Sequence, residues 1–126
     1  MLISILKSKI HRAIVTNTHI DYEGSCAIDE YLLEKANISE YEMLHIYNLD
    51  NGKRFTTYAI KAKRNTGIIT LNGAAAHLAK KNDLVIICTY AQVQKEKVNE
   101  VSPTLVYLKE KTNIISEIKS NIKTQC

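Results

Sequence analysis

Along this chain, apolar and polar positions alternate over short stretches more often than they recur at helical spacing. Met1–Leu6 is apolar, and Ala13–Ile20 alternates branched with polar residues, the period-two pattern of a half-buried strand. Glu42–Leu49 and Lys53–Ala62 read as two more strands. They flank Asn51-Gly52, the strongest short-range hairpin signal a sequence carries. Gly67–Leu71 and Leu84–Ala91 are rich in β-branched residues, and Thr104–Leu108 follows Pro103, the only proline. Two short helices are expected between these runs. One covers Asp29–Ala36, with acids in its first turn; the other starts after Asn72-Gly73 and runs from Ala74 to Lys80, with lysines in its last turn. In the lysine-rich tail, Lys109–Cys126, the isoleucines at 114, 115, 118 and 122 suit either a terminal helix or a frayed end, with a helix expected over the first half. Many short strands with few helices predict a mainly β protein, a small closed barrel.

Composition agrees with one domain. The chain has 126 residues, 45% of them hydrophobic, with no Trp and a single Phe, so a core must be built from aliphatic side chains. The net charge of +4 is modest and owes much to lysines in and near the tail. It suits solvated cations, and an enzyme that attracts an anionic substrate, better than a nucleic-acid-tracking stripe. No apolar run approaches the ~20 residues of a membrane span, and no signal-peptide pattern opens the chain. Three cysteines (Cys26, Cys88, Cys126) without CxxC spacing predict a cytoplasmic protein with reduced thiols. The four histidines have no metal-ligand spacing, so no metal site is expected.

The candidate chemistry lies in two runs, Tyr22-Glu23-Gly24-Ser25-Cys26 and Asn72-Gly73-Ala74-Ala75-Ala76. Glycine tolerates backbone conformations closed to other residues, so the Gly24-Ser25 bond can sit in a strained turn. There the Ser25 hydroxyl can attack the Gly24 carbonyl and convert the amide to an ester. Elimination then cuts the chain and leaves a dehydroalanine, which hydrolyses to a pyruvoyl group. Alone, Gly-Ser is common and equally suits a turn or a helix cap. Cys26 is a rival nucleophile, though a thiol there also reads as a small buried apolar residue.

Four separated blocks occur together: Lys9-Ile10-His11-Arg12, Tyr22 through Asp29, Asn51 through Ile60, and Asn72 through His77. In that order and spacing the chain resembles the pyruvoyl-dependent aspartate 1-decarboxylases of bacteria, from Met1 to about Tyr107. The resemblance implies a six-stranded double-psi β-barrel with short helices. It implies a precursor cut into residues 1–24 and 25–126, with a variable tail from about residue 109. The implied reaction converts L-aspartate to β-alanine and carbon dioxide through a Schiff base on a pyruvoyl group made from Ser25. The product would serve pantothenate synthesis. Neither pyridoxal phosphate nor a metal is expected. The implied assembly is a homotetramer with sites between subunits, and involvement of a maturation factor is left open. Neither nucleic acid nor membrane is an implied partner.

Residue by residue, the resemblance makes Ser25 and Tyr58 catalytic, Tyr58 as the proton donor to the carbanion. Arg54 would grip the substrate's side-chain carboxylate with its guanidinium fork, and Lys9 would add charge. Thr57 would contact substrate and, before cleavage, polarise the Gly24 carbonyl. Asn72, Gly73, Ala74 and Ala75 would present backbone N–H groups to the substrate, small side chains permitting close approach. His11 and Tyr22 would shape the cleavage loop. Strand alternation imposes a check: Arg54, Thr56 and Tyr58 share one face and Thr57 the other. Residues 54 to 58 span roughly 13 Å, so one flat strand cannot aim Arg54, Thr57 and Tyr58 at one small ligand. Either the strand bends or different subunits contribute. The alternative is a non-enzymatic basic β-barrel binding module in which Gly24-Ser25 stays intact.

Overall fold

The computed structural model describes residues 1–126 as a β protein with one α-helix. Nine strands are β1 (Leu2–Ile14), β2 (Asn17–His19), β3 (Ser25–Asp29), β4 (Met43–Asn48), β5 (Arg54–Ala62), β6 (Ile69–Asn72), β7 (Leu84–Gln94), β8 (Thr104–Leu108) and β9 (Ile115–Lys119). Helix α1 spans Glu30–Ala36, and 3₁₀ turns cover Gly73–His77 and Lys95–Glu100. No helix is long and apolar enough to cross a membrane.

The strands run in the order β2-β6-β3-β5-β4-β7-β1-β8-β9. Only Val15 and Thr16 separate β1 from β2, so the two are successive parts of one strand that bends. At the bend the Thr16 N–H donates to the Ile69 carbonyl at 2.8 Å and the Val15 N–H to the Asp83 carbonyl at 3.0 Å. The sheet therefore returns on itself, with β1/β2, β6, β3, β5, β4 and β7 around one aliphatic core. Strands β8 and β9 extend it outside that ring. Ile10, Ile28, Leu44, Ile46, Ile69, Leu71, Val85 and Ile87 are all fully buried within it. Closure removes the exposed edges that such short strands would otherwise leave.

Local signals placed several elements well. Helix α1 begins where Asp29, its N-cap, accepts a 2.8 Å hydrogen bond from the Tyr31 N–H. The same carboxylate accepts from the N–H groups of Asn65 (2.9 Å) and Gly67 (2.8 Å), tying the turn before β6 to the helix start. The helix stops at Asn37, which is left-handed with φ of 60°. The Asn51-Gly52 hairpin does join β4 to β5.

Five expectations are corrected. The amino-terminal strand is continuous over Leu2–Ile14, because the polar Ser8, Lys9 and His11 stay in the ladders with β7 and β8. The strand predicted over Ala13–Ile20 is instead split at the bend. Ser25 opens a strand, β3, which the loop-like Glu23-Gly24-Ser25 composition hid. The second helix is only the 3₁₀ turn Gly73–His77. Beyond it the Asp83 carboxylate accepts from the Lys80 N–H at 2.9 Å and holds a tight turn in place of further helix. The tail is no helix over its first half: β9 pairs antiparallel with β8. Asn113 anchors it, its Oδ1 accepting from the Ile14 N–H (2.8 Å) and its Nδ2 donating to the carbonyls of Ile14 (2.9 Å) and Gly67 (2.8 Å). Three hydrogen bonds to distant backbone outweigh a weak helical period.

Candidate active site

Strand β3 lies between β6, antiparallel, and β5, parallel. Its ladder with β5 begins at Cys26 opposite Ala59, so Phe55 to Tyr58 run on past the point where β3 starts. On the other side β6 ends at Asn72, directly opposite Ser25. The gap left beyond the start of β3 is a cleft of about 320 Å³. Gly24, Thr57, Tyr58, Asn72, Ala74 and Ala75 line it, with Phe55, Thr56 and Leu78 completing the wall. The sheet thus brings together seven of the residues singled out from sequence, counting Ser25 paired with Asn72.

Ser25 is 1% exposed, and its hydroxyl is held from two sides. It donates to the Glu23 carbonyl at 3.0 Å and accepts from Asn72 Nδ2 at 3.0 Å. Asn72 is itself 2% exposed, and its Oδ1 has no hydrogen-bond partner. Leaving a buried acceptor unpaired costs about 1–3 kcal/mol, so this atom marks a polar position held open beside Ser25. Cys26, the rival nucleophile, is fully buried in the core, and burial pushes its thiol up to about 12. It is a packing residue with no thiolate to offer.

Gly73 explains how the two runs meet. Its φ is +68°, and a Cβ built there would lie 2.7 Å from the Gly24 Cα, 3.0 Å from the Gly24 nitrogen and 3.3 Å from the Tyr22 carbonyl oxygen. Only glycine lets the backbone after β6 sit against the chain at Tyr22–Gly24. We expect Gly73→Ala to cost at least about 1–3 kcal/mol in backbone strain, before any clash is counted. It should also displace the Gly24-Ser25 bond. Thermal unfolding of the variant checks the first effect, and its state of chain cleavage the second.

Other sequence-selected residues lie elsewhere. Alternation along β5 holds: Phe55, Thr57 and Ala59 are the more buried set, Arg54, Thr56 and Tyr58 the exposed one. Lys9, His11 and Arg54 do not line the cleft. They sit on the outer face of the sheet, where Lys9 pairs with Cys88 on β7, Cys88 with His45 on β4, and His45 with Thr56 on β5. Neither Lys9 nor Arg54 is paired with a carboxylate. Both charges reach the Cys88 thiol, partly offsetting the burial that pushes its pKa up. His11 packs against the Tyr107 ring, 5.4 Å between centroids. Partial burial and then the charges of Lys9 and Arg12 hold its pKa below the ordinary imidazole value. It is therefore kept neutral near pH 7. The Tyr22 side chain is exposed, on the loop leading to Gly24.

The sequence reading missed an aromatic group on the same outer face. Tyr47 lies opposite Arg54 on β4, and the guanidinium carbon is 4.1 Å from the Tyr47 ring centroid. The hydroxyls of Tyr47 and Tyr90 are 2.6 Å apart, and His45 meets Tyr90 edge-on. Seven tyrosines in the chain gave no reason to single these out, and a two-residue Asn51-Gly52 turn would have set Tyr47 opposite Thr56 rather than Arg54.

Comparison with known proteins joins this geometry to a family. Residues 1–115 match the family model described as aspartate decarboxylase. A protein of Hydrogenovibrio crunogenus named aspartate 1-decarboxylase is 54% identical over 125 residues, covering 99% of this chain and 96% of that protein. Proteins of the same name from Nitrosococcus oceani and Methylobacillus flagellatus are each 52% identical, covering 99% and 97% of this chain and 98% and 96% of their own lengths. With the match running through the Ser25 cleft and both β5 and β6, the chain belongs to the aspartate decarboxylase family.

Proposed function

We propose that this chain cleaves itself between Gly24 and Ser25, carries a pyruvoyl group at residue 25, and decarboxylates L-aspartate to β-alanine for pantothenate synthesis in the cytoplasm. The observation that carries the reading is the Ser25 hydroxyl, fixed between the Glu23 carbonyl and Asn72 Nδ2, next to Gly24, which lines the cleft. Family membership supplies the reaction and argues against a barrel with an intact Gly24-Ser25 bond.

In the processing step, Ser25 Oγ attacks the Gly24 carbonyl carbon. The new C–O bond forms as the C–N bond breaks, and the hydroxyl proton ends on the Ser25 nitrogen. Thr57, in the same cleft as Gly24, polarises that carbonyl. Loss of the residue 25 Cα proton then expels the Gly24 carboxylate, ending the first piece at residue 24. Water converts the remaining dehydroalanine to a ketone and releases ammonia.

The residues present fit a pyruvoyl group at position 25. Asn72 Nδ2 now donates to Ser25 Oγ, the oxygen that would leave with Gly24, so the donor would be freed for a new polar group; the unpaired Asn72 Oδ1 can accept from an amine, and Gly73 leaves the backbone room. Once formed, that group supplies the electron sink a carbanion needs when carbon dioxide leaves. The chain's own side chains do the rest. Tyr58, at the cleft mouth, delivers a proton to the substrate Cα. The backbone N–H groups of Asn72 to Ala75 hold the α-carboxylate side. Arg54 and Lys9, unpaired in the protomer, bind the side-chain carboxylate. Because those cations and His11 do not line the cleft, this reading takes the complete site to combine the cleft of one subunit with the outer face of its neighbour. This reading favours the homotetramer, and with it the double-psi barrel topology.

Mass spectrometry of the purified chain tests the proposal. Two species should appear, residues 1–24 and residues 25–126, the larger resistant to amino-terminal sequencing because a ketone replaces its amine. Borohydride with aspartate should attach substrate to the larger piece, and activity should survive dialysis against a chelator. One intact species after prolonged warm incubation would refute spontaneous processing.

A further inference from the structure

We infer that Tyr90, on β7, is a positioning residue that holds the Arg54 guanidinium in place through Tyr47, and so sets how tightly the site grips a carboxylate. The inference deepens the reading above and rests on Arg54 as the carboxylate-binding group.

The contacts form one connected line across the outer face. Arg54 is at the exposed start of β5, where a long side chain carries much rotamer freedom. Its guanidinium lies over the Tyr47 ring at 4.1 Å, well within the range of cation–π attraction. Such stacking fixes the guanidinium only as firmly as the ring is fixed. The Tyr47 hydroxyl is in turn hydrogen-bonded to that of Tyr90 at 2.6 Å. Tyr90 is held by the edge of His45, with ring centroids 5.0 Å apart at 89°. Desolvation and the Tyr47 hydrogen bond push the Tyr90 phenol up, so it stays protonated and able to donate at physiological pH.

Position in the sheet shows why this line points at the substrate. Cross-strand partners share a face, and Lys9, Cys88, His45 and Thr56 form a row across β1, β7, β4 and β5. Tyr47 and Arg54 lie next to that row on the same face. The aromatic group therefore sits among the two cations assigned to the substrate. A cluster serving stability alone would not need to end on an arginine with no acidic partner. With its guanidinium already placed, Arg54 has less freedom to lose when a carboxylate arrives.

Tyr90→Phe keeps the ring and the His45 contact and deletes only the hydroxyl. The variant should cleave normally and keep its kcat. Its KM for aspartate should rise about fivefold, the effect of losing roughly one net hydrogen bond's worth of ordering. Tyr47→Phe should do the same. The double variant Tyr47→Phe/Tyr90→Phe should be no worse than either alone, because both remove one shared interaction. Arg54→Lys, measured beside them, keeps the charge and loses the fork, and should raise KM by itself.

The outcomes separate substrate binding by Arg54 from its positioning by Tyr90. If Arg54→Lys raises KM while Tyr90→Phe and Tyr47→Phe leave it unchanged, Arg54 binds substrate but Tyr90 does not position it. A fall in kcat with constant KM, or additive effects in the double variant, overturns the positioning role as well. An unchanged KM in Arg54→Lys overturns the substrate role of Arg54 and this inference with it.

Discussion

Ser25→Ala should remain a single uncut chain, however long it is incubated. The substitution removes the hydroxyl proposed to attack the Gly24 carbonyl and leaves Cys26 behind, buried with its pKa pushed up to about 12. The fold should survive at a cost. Ser25 is the partner of Asn72 Nδ2, and Asn72 Oδ1 is already unpaired, so the variant buries an amide with both ends unsatisfied. That should lower stability by about 1–3 kcal/mol relative to the uncut parent. Gel or intact-mass analysis reads the first effect and thermal or urea unfolding the second. Cleavage of Ser25→Ala at the same bond would show that the Ser25 hydroxyl is not the nucleophile.

Tyr58→Phe should leave self-cleavage untouched and slow turnover by ~10²–10⁴-fold, the usual contribution of a positioned general acid. Tyr58 is 36% exposed and lines the cleft beside Thr57 and Gly24, so a hydroxyl can be lost there without disturbing the core. KM for aspartate should change little, since the proton is needed only after carbon dioxide has left. Thr57→Val should act at the other stage: it removes the hydroxyl assigned to the Gly24 carbonyl, and cleavage itself should slow. Cleavage assays and single-turnover rates distinguish the two variants. If Tyr58→Phe blocks cleavage while Thr57→Val cleaves normally, the two roles are exchanged.

Short-range chemistry was open to reading from the sequence. The helix expected from Asp29, Asn51-Gly52 as a hairpin and the β-branched runs depend on their own backbone and nearest neighbours, so their elements appear where the pattern puts them. Gly24-Ser25 could be singled out for the same reason: the hydroxyl and the bond it is proposed to attack are adjacent. The alternation of Arg54, Thr57 and Tyr58 was also legible, because a strand fixes side-chain direction every second residue.

Long-range pairing decided the remainder. Asn72 became the partner of Ser25, 47 residues away, only because β6 runs antiparallel to β3 in one register. A shift of one residue would turn that side chain to the other face. The tail became a strand because β8 satisfies its backbone and the Asn113 side chain ties it to Ile14 and Gly67, which no local period could announce. An Asn-Gly two-residue turn would set Tyr47 opposite Thr56; the longer loop actually formed, with the Gly52 N–H donating to the Asn48 carbonyl at 2.9 Å, sets it opposite Arg54. Composition and local pattern thus determined which groups this protein can use and which elements carry them. The closed sheet, by choosing register between strands far apart in sequence, decided which of those groups meet at Ser25 and which face outward with Arg54.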